Sequence, residues 1–252
     1  MKVIKINESQ KRRLFEAYSE GFSFNNLSMI GSGQFWSEDN LKAQYAYCVK
    51  YLGEPFSNGS TRYVFTLGDN TVLKLARCEA GVKQNKNEYD VFNESNKSDL
   101  LTRIFAVDDD LFTWMVSEAV LPAEEEDFEK ILGMPYYSSY LQDSQKILDY
   151  NSKNRGDHKV GYNKYFDNLI PFGTEADICV EGVIDYMQGF GPGDIDPKVY
   201  DEVIRNNEWF TKVDNLLKSL PAKYRMVDLF IGNFGIVNRN GNQELVILDS
   251  GA

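Results

Sequence analysis

Histidine and cysteine are scarce in this chain, with one histidine and three cysteines among 252 residues. His158 lies in the polar stretch NSKNRGDHKVG, so we expect neither a histidine-based zinc site nor a Ser-His-Asp triad. Cys48, Cys78 and Cys179 are far apart and odd in number. They form neither a CxxC metal motif nor a disulfide framework, which indicates a reducing compartment.

The chain also has fewer basic than acidic residues, and it lacks long apolar runs. The chain has 27 Lys and Arg against 38 Asp and Glu, a formal net charge of -11. Nucleic-acid binding depends on a basic face that neutralises phosphates, so we expect no nucleic-acid partner. No apolar run reaches the roughly 20 residues of a membrane helix. The charged N-terminus lacks the apolar middle of a signal peptide. We therefore expect a cytoplasmic protein with no membrane partner.

Hydrophobic residues make up 42% of the chain and aromatic residues 13%, which predicts a packed core. Helical patterns dominate residues 1–52, which we interpret as an N-terminal helical extension. Asn7 is placed to cap a first helix, with Gln10 in capping-box position. Ser37 is placed to cap a second helix that ends before Gly53.

A strand-rich region, residues 53–120, follows. RYVFTL and TVLKLA are separated by GDN, which is a strong hairpin signal. GVKQNKNEYDVFNES has the pattern of a helix. LTRIFAVDDDLFTWMVSEAV has the pattern of two strands joined by an acidic turn.

Helical patterns return in residues 121–252. The acidic run Glu124 to Asp127 is typical of a helix start rather than of a metal site. We assign no structure to a polar insertion at about residues 136–172. A helix is predicted over TEADICVEGVIDYM and a turn at GFGPGD. A further single helix is predicted from Asp196 and Pro197 to Leu220. A hairpin of FGIV and LVIL across NRNGNQ closes the chain.

Lys74 lies between Leu73 and Leu75 in an otherwise apolar strand. If its side chain points inward it needs an anionic partner, because a buried unpaired ammonium is costly. Glu88 on the next helix is the candidate partner. The alternative is that Lys74 faces solvent on an edge strand, with the two leucines facing in.

Six segments occur in an order that resembles the protein-kinase-like fold over about residues 52–251. They are FSNGSTRYVF, VLKLA, NEYDVF, MVSEAV, DLFIGN and ILDSG. The resemblance implies an α+β, two-lobed protein-kinase-like fold. It would have a small antiparallel-sheet N-lobe at residues 53–120 and a truncated, mostly helical C-lobe at residues 121–252.

The resemblance also assigns roles at a nucleotide site in the N-lobe. It implies that Gly59 and Ser60 approach the phosphates of ATP and that Val64 packs on the adenine. Lys74 and Glu88 would orient the phosphates. The glycine loop departs from the family pattern, since Gly59 is the only one of three glycines retained. A plain hairpin turn is the alternative interpretation of this loop.

Asp228 and Asn233 have the spacing D-x-x-x-x-N of a kinase catalytic loop. The resemblance implies that Asp228 orients the acceptor hydroxyl and that Asn233 and Asp249 bind Mg²⁺. The alternatives are a loop cap at Asp228 and a turn residue at Asp249. Met226 and Val227 replace the family's His-Arg, and Phe230 replaces its lysine. Only Ala252 follows the Asp-Ser-Gly turn in this sequence, so we expect no activation segment or substrate platform of the family's kind after it.

Two hypotheses follow. The chain is either an ATP- and Mg²⁺-dependent phosphotransferase acting on an unknown acceptor, or a catalytically inactive kinase-like binding module. Nucleotidyl transfer onto a protein is a third, weaker alternative. The opening segment VIKINESQKRRLFEAY resembles an opening helix of proteins from crAss-like and related tailed phages of gut bacteria. That resemblance implies location in the host cytoplasm or the virion, with a phage or host protein partner docked on this helix. The alternative is that the helix packs on the small lobe.

Overall fold

A computed structural model describes residues 22–31, 37–68, 70–137, 178–189, 195–221 and 229–248. Its helices are α1 (Phe24–Gly31), α2 (Glu38–Leu52), α3 (Glu79–Glu94), α4 (Glu125–Leu132), α5 (Val180–Gln188), α6 (Pro197–Asn206) and α7 (Glu208–Ser219). Its strands are β1 (Ser57–Asn58), β2 (Arg62–Thr66), β3 (Thr71–Ala76), β4 (Ile104–Val107), β5 (Trp114–Glu118), β6 (Leu121–Pro122), β7 (Phe234–Arg239) and β8 (Asn242–Ile247). The protein is therefore a mixed α+β protein.

The chain divides into two compact units. The first comprises Met1–Leu121, Leu220–Met226 and Val246–Ala252, and the second comprises Pro122–Ser219 and Val227–Leu245. Among the described helices, none combines the length and the apolar character needed to cross a membrane.

A five-stranded antiparallel sheet in the order β1-β2-β3-β5-β4 forms the centre of the first unit. The predicted hairpin of β2 and β3 is present. Gly68 and Asn70 in its turn have φ angles of +81° and +61°. Glycine and asparagine tolerate this left-handed region better than other residues, so GDN fits the turn. The hairpin register places Val64 opposite Lys74.

One face of this sheet packs against α1 and α2. Alternate residues of the strands point to this face because side chains in a strand alternate with a period of two. The core here consists of Phe22, Leu27, Cys48, Phe65, Leu67, Leu73, Leu75, Trp114 and Val116. The opposite face of the sheet carries Lys74 and Val64. Helix α3 packs on this face, where its Glu88 pairs with Lys74.

Local signals placed most elements of the first unit correctly. Ser37 Oγ accepts a hydrogen bond from the Asn40 N–H at 3.2 Å, which confirms the predicted start of α2. Gly53 follows its last residue with a φ of +82°. Helix α3 and the two strands around the acidic turn are also present, and the β4–β5 pairing contains a register shift between Ile104 and Ala106.

In the second unit, the acidic run opens helix α4 as predicted. Glu124 and Asp127 form a capping box, in which the Glu124 N–H donates to Asp127 Oδ2 at 3.0 Å. Behind the helix, Phe128 packs edge-on against Phe234 with ring centroids 5.6 Å apart. The hydroxyl of the buried Tyr136 donates to the Leu229 carbonyl at 3.0 Å, so this core has its polar group satisfied.

The prediction of a single helix from Asp196 to Leu220 is wrong. The segment forms two helices, α6 and α7, which are separated at Asn207. Asn207 has an extended backbone, and its Oδ1 accepts hydrogen bonds from the N–H groups of Trp209 at 3.0 Å and Phe210 at 3.3 Å. Its side chain therefore caps α7 and offers the backbone an alternative to a continuous helix. The start at Asp196 and Pro197 is confirmed, because Asp196 Oδ1 accepts from the Lys198 N–H.

Two further boundaries differ from the predictions. Helix α5 begins at Val180, with Cys179 as its N-cap, so Ile178 is not helical. The last hairpin turns at Asn240 and Gly241 alone, with φ angles of +55° and +84°, and its strands are longer than FGIV and LVIL. Such paired positive φ angles are typical of an Asn-Gly two-residue turn. The predicted Asn7 helix, residues 138–172 of the insertion and residues 190–194 of the predicted turn lie outside the described residues.

Candidate functional site

Lys74 lies in β3, which is an inner strand of the sheet between β2 and β5. Its Nζ is 2.8 Å from Oε2 of Glu88 on α3, and its side chain is only 11% exposed. The predicted ion pair is therefore present. The alternative of a solvent-facing lysine on an edge strand does not hold.

Glu88 has a second cationic partner that the sequence interpretation missed. Arg62 Nη1 lies 2.5 Å from Glu88 Oε1, and it also donates to Asn85 Oδ1 at 3.3 Å. The β2–β3 register pairs Arg62 with Ala76, two residues along from Lys74. Residues two apart in a strand point to the same face. The hairpin register, fixed by the GDN turn, was the signal that could have brought Arg62 to this cluster.

The electrostatics of the cluster keep Glu88 ionised. Burial raises the pKa of Glu88, whose side chain is 3% exposed. The Arg62 guanidinium and the Lys74 ammonium outweigh this desolvation, so the pKa lies below its ordinary value. Asn85, which is also buried, supports the arrangement by donating to the Phe112 carbonyl at 2.9 Å.

Gly59 and Ser60, two of the predicted nucleotide contacts, lie exposed in the loop between β1 and β2. The Gly59 carbonyl accepts a hydrogen bond from Arg77 Nη1 at 2.5 Å. A Cβ at Gly59 would lie 3.4 Å from the Arg62 carbonyl oxygen, which is an ordinary contact. The backbone here does not itself demand glycine. Val64 is half-buried and lies opposite Lys74 in the neighbouring strand.

The base of the same loop is tied to helix α3. Thr61 Oγ1 donates to Gln84 Oε1 at 2.6 Å. A Cβ at Gly81 would lie 2.2 Å from the Thr61 carbonyl oxygen, so only glycine allows this approach. Loop, strand and helix therefore form one packed assembly around the Lys74–Glu88 pair.

Two of the four predicted catalytic and metal-binding residues, Asp228 and Asp249, lie outside the described residues. Asn233 is buried in the second unit at the end of a 3₁₀ turn, Ile231–Asn233, and its N–H donates to the Phe230 carbonyl at 2.8 Å. Within the described ranges, no group of three or more His, Cys, Asp or Glu is arranged to hold a metal ion.

No protein-family model matches the chain. No curated protein matches it in sequence.

A lysine held by a buried carboxylate keeps its ammonium in a fixed position. A fixed ammonium can donate charge-assisted hydrogen bonds to phosphate oxygens. The described residues thus provide an element suited to anion recognition at the junction of β3 and α3.

Proposed function

We propose that the chain is a kinase-like ATP- and Mg²⁺-binding protein that transfers a phosphoryl group to an unknown acceptor. The observation that carries the proposal is the buried Lys74–Glu88 ion pair, which joins β3 to α3 at 2.8 Å. In protein kinases a strand lysine paired with a helix glutamate must be in place for catalysis. Motif order and this geometry point to the same two residues.

The order of elements around the pair gives further support. A hairpin is followed by the strand with Lys74, the helix with Glu88, and two antiparallel strands that complete the sheet. This is the order expected for the small lobe of a kinase-like protein. The proposal accordingly treats residues 53–120 as that lobe and residues 121–252 as its larger companion.

Each predicted residue has a role in the proposal. Gly59 and Ser60 would contact the phosphates through the β1–β2 loop, and Val64 would pack on the adenine. Lys74, held by Glu88, would donate hydrogen bonds to phosphate oxygens.

Asp228 would orient the acceptor hydroxyl. Asn233 and Asp249 would be the metal ligands, and their carboxamide and carboxylate oxygens suit Mg²⁺. When bound, Mg²⁺ would neutralise charge on the nucleotide phosphates.

A thermal-shift titration with ATP, with and without Mg²⁺, tests nucleotide binding. Ligand binding to the native state stabilises it by about 2.7 kcal/mol at a hundredfold excess over Kd. We expect a Mg²⁺-dependent rise in Tm for the wild type that Lys74→Met and Asp249→Ala both abolish. Lys83→Met is the matched control, because Lys83 lies exposed on α3 and forms an exposed ion pair with Glu79. No metal-dependent shift at millimolar ATP would contradict the proposal.

A second candidate is a kinase-like binding module without turnover that contacts a phage or host protein. Phe230 stands in place of the catalytic-loop lysine of the family and is 48% exposed. Because phenylalanine carries no charge, this position supplies no cation to neutralise a transferred phosphoryl group. Incubation with γ-labelled ATP separates the two candidates. Label transfer to protein or small-molecule acceptors supports phosphotransfer. ATP binding without any transfer supports the binding module.

A further inference from the structure

Glu88 is held by two cations from two different strands, one on each carboxylate oxygen. Oε1 contacts Arg62 of β2 at 2.5 Å, and Oε2 contacts Lys74 of β3 at 2.8 Å. All three side chains are nearly inaccessible, with exposures of 10% for Arg62, 11% for Lys74 and 3% for Glu88. One cation would be enough to neutralise a single carboxylate, so the second requires its own explanation.

We infer that Arg62 is a positioning residue that keeps Glu88 paired while Lys74 turns to an anionic group of the ligand. The pairing of Arg62 with Glu88 is a property of the protein without ligand. The movement of Lys74 rests on the proposed function, in which the anionic group is a nucleotide phosphate.

The physical reason lies in the burial of Glu88. Removing one partner from a buried ion pair is strongly destabilising, because it leaves a charge without compensation. A lysine that is the sole partner of a buried glutamate can therefore contact a phosphate only at the expense of that glutamate. With Arg62 on the other oxygen, Lys74 can redirect its hydrogen bonds and Glu88 stays neutralised.

Arg62 is well suited to remain in place. Its Nη1 carries two N–H groups, so this one nitrogen can donate to two acceptors at once. Here those acceptors are Glu88 and Asn85. Asn85 is itself fixed by its hydrogen bond to the Phe112 carbonyl. In the kinase-like resemblance on which the proposed function rests, Arg62 replaces the third glycine of the loop, a position at which the family pattern has no side chain.

A double-mutant cycle without ligand tests the shared pairing. Urea unfolding is measured for wild type, Arg62→Met, Lys74→Met and the double variant. Each single variant leaves Glu88 one cation and should lower stability modestly. The double variant removes both cations that the described residues place beside Glu88, and its unfolding constant should exceed the product of the single effects by about tenfold or more.

Arg77→Met is the matched control for losing an arginine near the same loop. Arg77 is exposed and contacts Gly59 instead of Glu88. Combined with Lys74→Met, it should give additive effects. An additive Arg62–Lys74 cycle would overturn the inference.

The double variant leaves a buried carboxylate without these two cations and is expected to fold poorly, so a second measurement uses only the single variants. Carboxyl carbon NMR follows the titration of Glu88 in wild type, Arg62→Met and Lys74→Met. In each single variant the Glu88 midpoint should lie above that of the wild type, because both cations lower the pKa of this buried carboxyl. An unchanged midpoint in Arg62→Met would mean that Arg62 does not hold Glu88, which sinks the inference.

A ligand measurement tests the release of Lys74. Arg62→Met should weaken Mg²⁺–ATP binding by about tenfold or more while adenosine binding stays unchanged, because only phosphate contacts draw Lys74 away from Glu88. Equal ATP affinity in Arg62→Met and wild type would refute the release. If wild type binds no ATP, the proposed function fails, and the ligand-free cycle still decides whether Arg62 and Lys74 share Glu88.

Discussion

The contacts of Glu88 show which side-chain interactions could be predicted from the sequence and which could not. Its pairing with Lys74 was predictable, because a lysine in an apolar strand needs an anion and the next helix offers one. Arg62 was not recognised as a partner, since its contact depends on the register between two strands. A one-residue slip in that register would turn Arg62 to the opposite face. The residue types determine which interactions the cluster can form, and the strand register determines which residues lie in it.

Glu88→Gln should lower the free energy of unfolding by about 3 kcal/mol at neutral pH, because the buried Arg62 and Lys74 side chains then lose the carboxylate that compensates their charge. This loss should depend on pH. The folded-state pKa of Glu88 lies below its ordinary value of 4.5. The carboxylate's contribution is therefore fully present above about pH 5.5 and disappears as pH falls through the folded pKa. Urea unfolding of both proteins between pH 8 and pH 3 measures the difference.

Glu79→Gln is the control for this experiment. Glu79 begins the same helix, and its pair with Lys83 has side-chain exposures of 55% and 70%. Exposed pairs contribute little, so the control should stay within about 0.5 kcal/mol of wild type. A wild-type advantage over Glu88→Gln that persists unchanged down to pH 3 would contradict the assignment.

At the scale of elements, signals confined to a few residues were reliable. The Ser37 cap, the GDN turn and the acidic start of α4 were all found where predicted. The division between α6 and α7 was missed because the apolar period continues across Asn207. Side-chain capping there outweighed the periodic pattern. The close approach of α3 to the β1–β2 loop was also invisible, because nothing in the sequence says which backbone Gly81 meets.

Gly81→Ala should destabilise the protein by about 2 kcal/mol, since the new methyl group would overlap the Thr61 carbonyl oxygen. Alanine favours a helix over glycine by about 1 kcal/mol, so intrinsic propensity predicts the opposite sign. Urea unfolding measures the effect. Gly182→Ala in α5 is the matched control, because its nearest contact is the movable Tyr200 hydroxyl at 3.1 Å. Equal stabilisation by both substitutions would show that the β1–β2 loop moves away from the new methyl group without cost, which contradicts this prediction.

At the scale of the whole molecule, the sequence predicted the α+β class and the succession of most elements. It could not predict which faces are covered, such as the packing of α1 and α2 on the sheet. Such contacts join residues far apart in the chain, and local periodicity carries no information about them. Each unit has its own buried aromatic and aliphatic core, with Phe65 in the first and Phe128 in the second.

The buried cysteines should report the unfolding of each unit separately. Cys48 lies in the first unit and Cys179 in the second, and burial raises the pKa of Cys48 to about 12. Maleimide pulse labelling in rising urea, read by mass spectrometry, should modify the half-buried Cys78 first. Glu88→Gln should then lower the labelling midpoint of Cys48 and leave that of Cys179 unchanged. Equal shifts at both cysteines would show that the units unfold together.

The two outer strands of the five-stranded sheet differ from its inner ones. β1 has only two residues, and the pairing of β4 with β5 is irregular between Ile104 and Ala106. A long, straight outer strand is a template on which a second molecule can add its own strand, and shortness and bulges both remove that template. The described sheet is thus built against self-association by strand addition.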